Sequence, residues 1–201
     1  MRGTSDPTTA LAIEDALVPE ILPIDPEQGL SALIYSGDGE RFVRMFRQAW
    51  QMIPEHVRDL LLAHWDAERA VIRRNSPKLP WSVISLRRSH RTFDESQRRR
   101  RITFASTSSA DLTFYVPTFA IMPDEMFCVV IAHELAHRVM RMENPGEMPP
   151  EALTAAYWSL EEEVHARISE WGFDVEAMHQ WGDENEPRLH ERYWAVKLGL
   201  A

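Results

Sequence analysis

Residues Val129–Met140 read VVIAHELAHRVM and place His133, Glu134 and His137 inside an otherwise apolar run. Neither proline nor glycine interrupts the run, so it is compatible with a helix. Burying three polar side chains is unfavourable unless each finds a partner. Their spacing offers one. Residues four apart on an α-helix lie one above the other on the same face, so His133 and His137 can aim two imidazole nitrogens at one point. That is half of a tetrahedral zinc shell, in which the Zn–N distance is about 2.0–2.1 Å. Glu134 sits about 100° round the helix from His133, beside such an ion and not on it. From there a carboxylate can accept a proton from water activated by the metal.

Outward from the motif, Pro123-Asp124 starts a helix expected to run to about Met142, and NPG (144–146) with Pro149-Pro150 breaks the chain. A second helix is expected over about 151–171, ending near Gly172. Its apolar face is Tyr157, Leu160, Val164, Ile168 and Trp171. Glu161 projects inward with that face, Glu163 groups with Ser159, Arg167 and Glu170 on the wet side, and Glu162 lies between. An inward glutamate in an apolar helix needs a cation or hydrogen-bond donors, and zinc is such a cation. The metzincin continuation HExxHxxGxxH is absent: Met140 holds the glycine position and Glu143 that of the last ligand. Without the glycine the helix does not turn Glu143 back, so Glu143 is discounted.

HELAH (133–137) followed by EEEVHARISEWGFD (161–174) resembles the gluzincin group of zinc metallopeptidases. The second helix is similar to that of the small members, the minigluzincins and the ImmA/IrrE-like peptidases. The resemblance covers roughly residues 80–173, strongly at the two motifs and in pattern between them. It implies a zincin-like α+β fold with Zn²⁺ held by His133, His137 and Glu161, and Glu134 as general base for peptide hydrolysis. His165 takes the place of an Asp or Asn that supports a ligand histidine. There are three departures from the pattern. Val164 replaces a small alanine, Arg138 is charged where such motifs are not, and His165 could itself compete with Glu161 for the metal. Glu162 and His179 are further alternatives for the third ligand. Tyr157, His165, His179 and His190 are candidates to stabilise the oxyanion of a tetrahedral intermediate.

The rest of the chain frames these motifs. Residues 1–38 carry several prolines and little periodicity, which predicts an arm laid over a single domain of residues 39–201. Phe42, Phe46, Trp50 and Ile53 recur at helical spacing, and Pro54 suits the first turn of a second helix bearing Val57, Leu61 and Trp65. WSVISL (81–86), RITFAS (101–106) and LTFYVPTFAI (112–121) read as a small three-stranded sheet. Pro117 removes a ladder donor, so the third is expected to have a free edge where Tyr115, Val116 and Thr118 could pair with an extended peptide. A short final helix is expected around 187–198.

Composition narrows the function. The net charge of −9 disfavours general affinity for nucleic acid or anionic membrane. The basic segment RRSHRTFDESQRRRR (87–101) holds a single aromatic, Phe93, and reads as a solvated loop rather than a base-stacking surface. One cysteine, Cys128, excludes an internal disulfide and fits a reducing compartment. The amino terminus lacks the basic start and apolar run of a signal peptide, and no apolar run approaches the ~20 residues that span a bilayer. A soluble, cytoplasmic zinc peptidase acting on peptides or proteins is expected. The rival from another class is a catalytically silent binding or regulatory protein that keeps a peptidase-like fold around a structural zinc.

Overall fold

A computed structural model describes residues 18–75, 84–87, 105–107, 112–143 and 155–197. Within them the chain forms five strands, β1 (Glu20–Asp25), β2 (Leu30–Ile34), β3 (Ile84–Arg87), β4 (Ala105–Thr107) and β5 (Leu112–Tyr115). It also forms six helices: α1 (Gly39–Met52), α2 (Glu55–Asn75), α3 (Val116–Ile121), α4 (Asp124–Glu143), α5 (Ala155–Glu170) and α6 (Val175–Lys197). This is a mixed α+β fold.

Local chemistry sets the first two helices. The Asp38 carboxylate accepts the Arg41 N–H at 2.9 Å and caps α1. Phe42, Phe46, Ala49 and Trp50 then bury one face of that helix. The Pro54 carbonyl takes the Val57 and Arg58 N–H groups and opens α2. Val57, Leu61 and Trp65 continue the core, with Trp65 stacked on Trp50 at 5.8 Å. Phe42 of α1, Phe114 of β5, Phe119 of α3 and Phe127 of α4 form one aromatic cluster with centroids 5.2–6.2 Å apart. Truncating such a ring to alanine costs about 3–5 kcal/mol. The motif helix α4 is thereby fastened to both the sheet and α1.

The strand order is β1-β2-β3-β5-β4. β2, β3 and β5 are mutually parallel, and the outer strands β1 and β4 are antiparallel to their neighbours. The β1 edge is blunted. Pro23 lies on it, the register shifts between Pro23 and Asp25, and Arg47 donates to the carbonyls of Pro23 and Ile24 at 3.1 and 2.9 Å. The β4 edge lies on the side of the sheet that contacts α4. Among the described residues no helix is long and apolar enough to cross a membrane.

Four expectations change. The sheet has five strands and not three, because residues 20–34 form a hairpin on its edge. The expected arm therefore joins the domain from Glu20 onward, with Ile24, Leu30, Ala32 and Ile34 in the core, while residues 1–17 lie outside the described part. Prolines had broken the alternation that would have marked β1. The strand expected over 112–121 ends at Tyr115, and Val116–Ile121 is helical with Pro117 in its first turn. A ring-locked φ and a missing N–H suit that position better than a sheet ladder. Consequently β5 is an inner strand, Tyr115 and Thr118 are buried, and none of Tyr115, Val116 and Thr118 lies on a free edge. Finally, the last helix is longer than expected, starting at Val175 and running through Gly182. The basic segment 88–101 lies outside the described residues, as do 81–83 and 101–104 of the expected strands.

Two glycines test this backbone with opposite signs. Gly37 holds φ +88°, and a Cβ there would meet Val116 Cγ2 at 2.9 Å. Gly37→Ala is expected to destabilise by about 1–2 kcal/mol from the left-handed backbone alone. Gly182 lies inside α6 with nothing near its missing Cβ, so Gly182→Ala is expected to stabilise by about 0.5–1 kcal/mol. Urea denaturation of both variants reads the difference; a neutral Gly37→Ala would contradict the turn.

Candidate functional site

Helix α4 begins with Asp124 and Glu125, carboxylates that favour the positive end of a helix dipole. Arg41 of α1 ties down this end. Its guanidinium bonds Asp124 at 2.7–2.8 Å, donates to the carbonyls of Phe119 and Met122, and lies over the Phe119 ring. Arg44 adds a 3.1 Å contact to Asp124. Burial raises the Asp124 carboxyl, but hydrogen bonds from both arginines outweigh it and the net shift is downward. Downstream, Phe127–Ala132, Leu135, Ala136, Val139 and Met140 are buried, whereas His133, Glu134 and His137 form a half-buried stripe.

The stripe faces α5, where Val164 and Ile168 are buried, Glu162, Glu163 and Glu170 are exposed, and Glu161 is mostly covered. This is the face that the periodicity picks out. The Nε2 atoms of His133 and His137 are 3.0 Å apart. Glu161 Oε2 lies 3.2 Å from His133 Nε2, and its Oε1 lies 3.3 Å from His137 Nε2. A tetrahedron with arms of ~2.05 Å has edges of about 3.3 Å. The two nitrogens stand near the separation of ligands on one ion and each has a Glu161 oxygen at a similar distance, so the three residues could hold a metal. Among the described residues this is the one cluster of three His, Cys, Asp or Glu donors within 4.8 Å of one another. The Glu161 carboxyl lies well below the usual range: burial pushes it up, but hydrogen bonds from the two imidazoles and their charge more than offset that. The centre of the cluster favours positive charge.

His165 stands one helical turn beyond Glu161 but not among these donors. Its ring is 5.4 Å from that of His133 and 4.8 Å from that of His179 on α6. Burial chiefly, with His133 and His179 adding, pushes its pKa down to about 4, so it is neutral at physiological pH. The turn between the helices makes this meeting possible. Gly172 at φ +92° ends α5 in a Schellman motif, with Phe173 N–H bonded to the Ile168 carbonyl and Gly172 N–H to that of Ser169. Asp174 then caps α6 through the Ala177 N–H at 2.8 Å. His179 and Glu162 are both exposed to solvent. The side chains of Tyr157 and His190 lie outside the described part.

Glu143, Arg138 and Cys128 of α4 are engaged elsewhere. Glu143 pairs with Arg167 of α5 at 2.8 Å, in keeping with its exclusion from the ligand set. Arg138, at 2% exposure, is turned away from the cluster and bonds Glu68 of α2 at 2.6 Å. The sequence reading missed this partner 70 residues away. A signal existed: Glu68 falls three residues after Trp65 on the apolar stripe Val57–Leu61–Trp65, a carboxylate where a core residue belongs. Cys128 donates to the Met45 carbonyl at 3.5 Å, and burial, with Asp124 and Glu125 nearby, pushes its thiol up to about 11.

Compared with models of known protein families, with curated proteins and with solved structures, the chain shows no match. The assignment of chemistry rests on the residues and their geometry.

One consequence concerns Cys128. A buried thiol so far from ionisation is a poor nucleophile. Iodoacetamide at pH 8 is expected to leave Cys128 unmodified in the native protein and to alkylate it fully in urea, read by mass spectrometry. Rapid native labelling would show that α4 is less closely packed than described.

Proposed function

We propose that the chain is a zinc-dependent peptidase of gluzincin type. The observation that carries this reading is the cluster itself: two histidines from an HExxH helix and a glutamate from the next helix, 3.0–3.3 Å apart at one half-buried point. His133 and His137 would hold the ion through Nε2 and Glu161 through its carboxylate. A bound zinc ion supplies Lewis acidity, lowering the pKa of a coordinated water towards ~7 and polarising a carbonyl. Glu134, on the same half-buried stripe, takes the proton from the attacking water and returns it to the leaving amine. Among the described residues, His165, beside His133, and His179 beyond it are candidates for donors to a developing oxyanion.

A peptide would enter in extended form along β4, the sheet edge against α4, by strand addition. This moves the substrate-pairing role from Tyr115, Val116 and Thr118 to Ala105–Thr107. A reducing, cytoplasmic setting suits the reduced, buried Cys128. The rival, a silent binding protein with a structural zinc, requires a closed shell of four protein donors. His165 is the residue that would close it.

The test is direct. Elemental analysis of the purified protein is expected to find one zinc per chain, and none in His137→Ala. Zinc in full amount in that variant, or none in the wild type, would overturn the site. Glu134→Ala is expected to keep its zinc and lose about 10²–10⁴-fold in peptide hydrolysis, the usual contribution of a general base. Because ligand imidazoles must be deprotonated, zinc affinity should fall as pH drops through the histidine range, with protons released on binding. Calorimetry in buffers of different ionisation enthalpy measures that release.

A further inference from the structure

We infer that the ion pair between Arg138 and Glu68 is a positioning device for the metal ligands. It sets how far α4 is rolled about its own axis and so keeps both imidazoles turned towards Glu161. The inference rests on reading His133, His137 and Glu161 as a metal site, and it assigns a purpose to a charged residue inside the core.

Roll matters because the side-chain tips lie about 5–6 Å from a helix axis, so a turn of ~10° carries an imidazole nitrogen by ~1 Å. A site is held productively only within about 0.5 Å and 10–20°. Apolar packing seats α4, and a directional contact adds a finer restraint on its angle. Phe127, Val130, Ile131, Leu135, Ala136 and Val139 bury apolar surface on several sides of the helix, and apolar burial is non-directional. Ion pairs are directional, and besides the contacts to Glu161 the described residues place them at three positions along α4. Asp124 is bound to Arg41 and Arg44 at the first turn, and Glu143 to Arg167 at the last residue. Both of these are partly exposed on each side. The third joins a fully buried Arg138 to a mostly covered Glu68, has the shortest contact of these at 2.6 Å, and ties α2 to the residue immediately after His137. His64, one turn before Glu68 on α2, lies 3.4 Å from the other carboxylate oxygen.

Stability does not account for the charge. Replacing a buried ion pair by apolar residues of similar volume is often neutral or stabilising, so a leucine or methionine at this position would pack the same core. What an apolar residue does not supply is a directional contact to refine the angle of roll.

The experiment separates the two roles. In the double variant Arg138→Met/Glu68→Leu, thermal melting of the metal-free protein is expected to stay within a few degrees of wild type. Zinc affinity, measured by competition with a chromophoric chelator, is expected to fall about 10–100-fold, the range seen when support of metal ligands is removed. Cobalt(II) substitution should show shifted and broadened d–d bands. Unchanged zinc affinity and an unchanged cobalt spectrum in the double variant would overturn the inference while leaving the metal site intact. If the double variant does not fold, Glu68→Gln, which keeps the shape and one acceptor, decides by the same two readouts. A wild-type protein that binds neither zinc nor cobalt overturns the reading of the site, and this inference with it.

Discussion

The structure depends on one electrostatic demand. Two imidazole nitrogens and a carboxylate are gathered within 3.3 Å of one another between two helices that also bury apolar faces. Lone pairs so placed repel unless something positive sits among them. Hydrogen bonds from the two imidazoles and their charge hold the Glu161 carboxyl far below the usual carboxylate range despite its burial. That arrangement holds as pH falls only until Glu161 is protonated, since a depressed carboxyl contributes stability above its unfolded value and loses it below the folded one. A divalent cation satisfies all three groups at once.

Much of the fold holds α4 and α5 in place for that contact. The aromatic cluster of Phe42, Phe114, Phe119 and Phe127 binds α4 to α1 and the sheet. Arg41 secures the turn from α3 into α4, and the Schellman turn at Gly172 folds α6 back so that His179 reaches His165. The N-terminal hairpin extends the sheet on the side away from β4, and its own edge is closed by Arg47.

The site was more legible in the sequence than the fold. A helix has a period of 3.6, so His133, His137 and Glu161 could each be assigned to a face from spacing alone, and Val164 and Ile168 fall on the buried side as read. Short strands give weaker signals. β1 carries Pro23 and an irregular register, so its alternation is broken and it reads as loop. LTFYVPTFAI is apolar but for two threonines because its strand and most of its helix are buried, and periodicity cannot separate the two; only Pro117 marks the change. The Arg138–Glu68 pair spans two distant helices, and pairing at that separation leaves no local trace beyond a charge on an apolar stripe.

The chemistry proposed for the cluster turns on what lies around the ion. X-ray absorption at the zinc edge, or anomalous diffraction from crystals of the native protein, reads that shell directly. Two nitrogen ligands from His133 and His137 are expected at about 2.0–2.1 Å, a carboxylate oxygen from Glu161 at about 2.0–2.2 Å, and a solvent oxygen in the fourth position. A shell closed by His165, or zinc bound anywhere other than these three residues, would contradict the proposed centre.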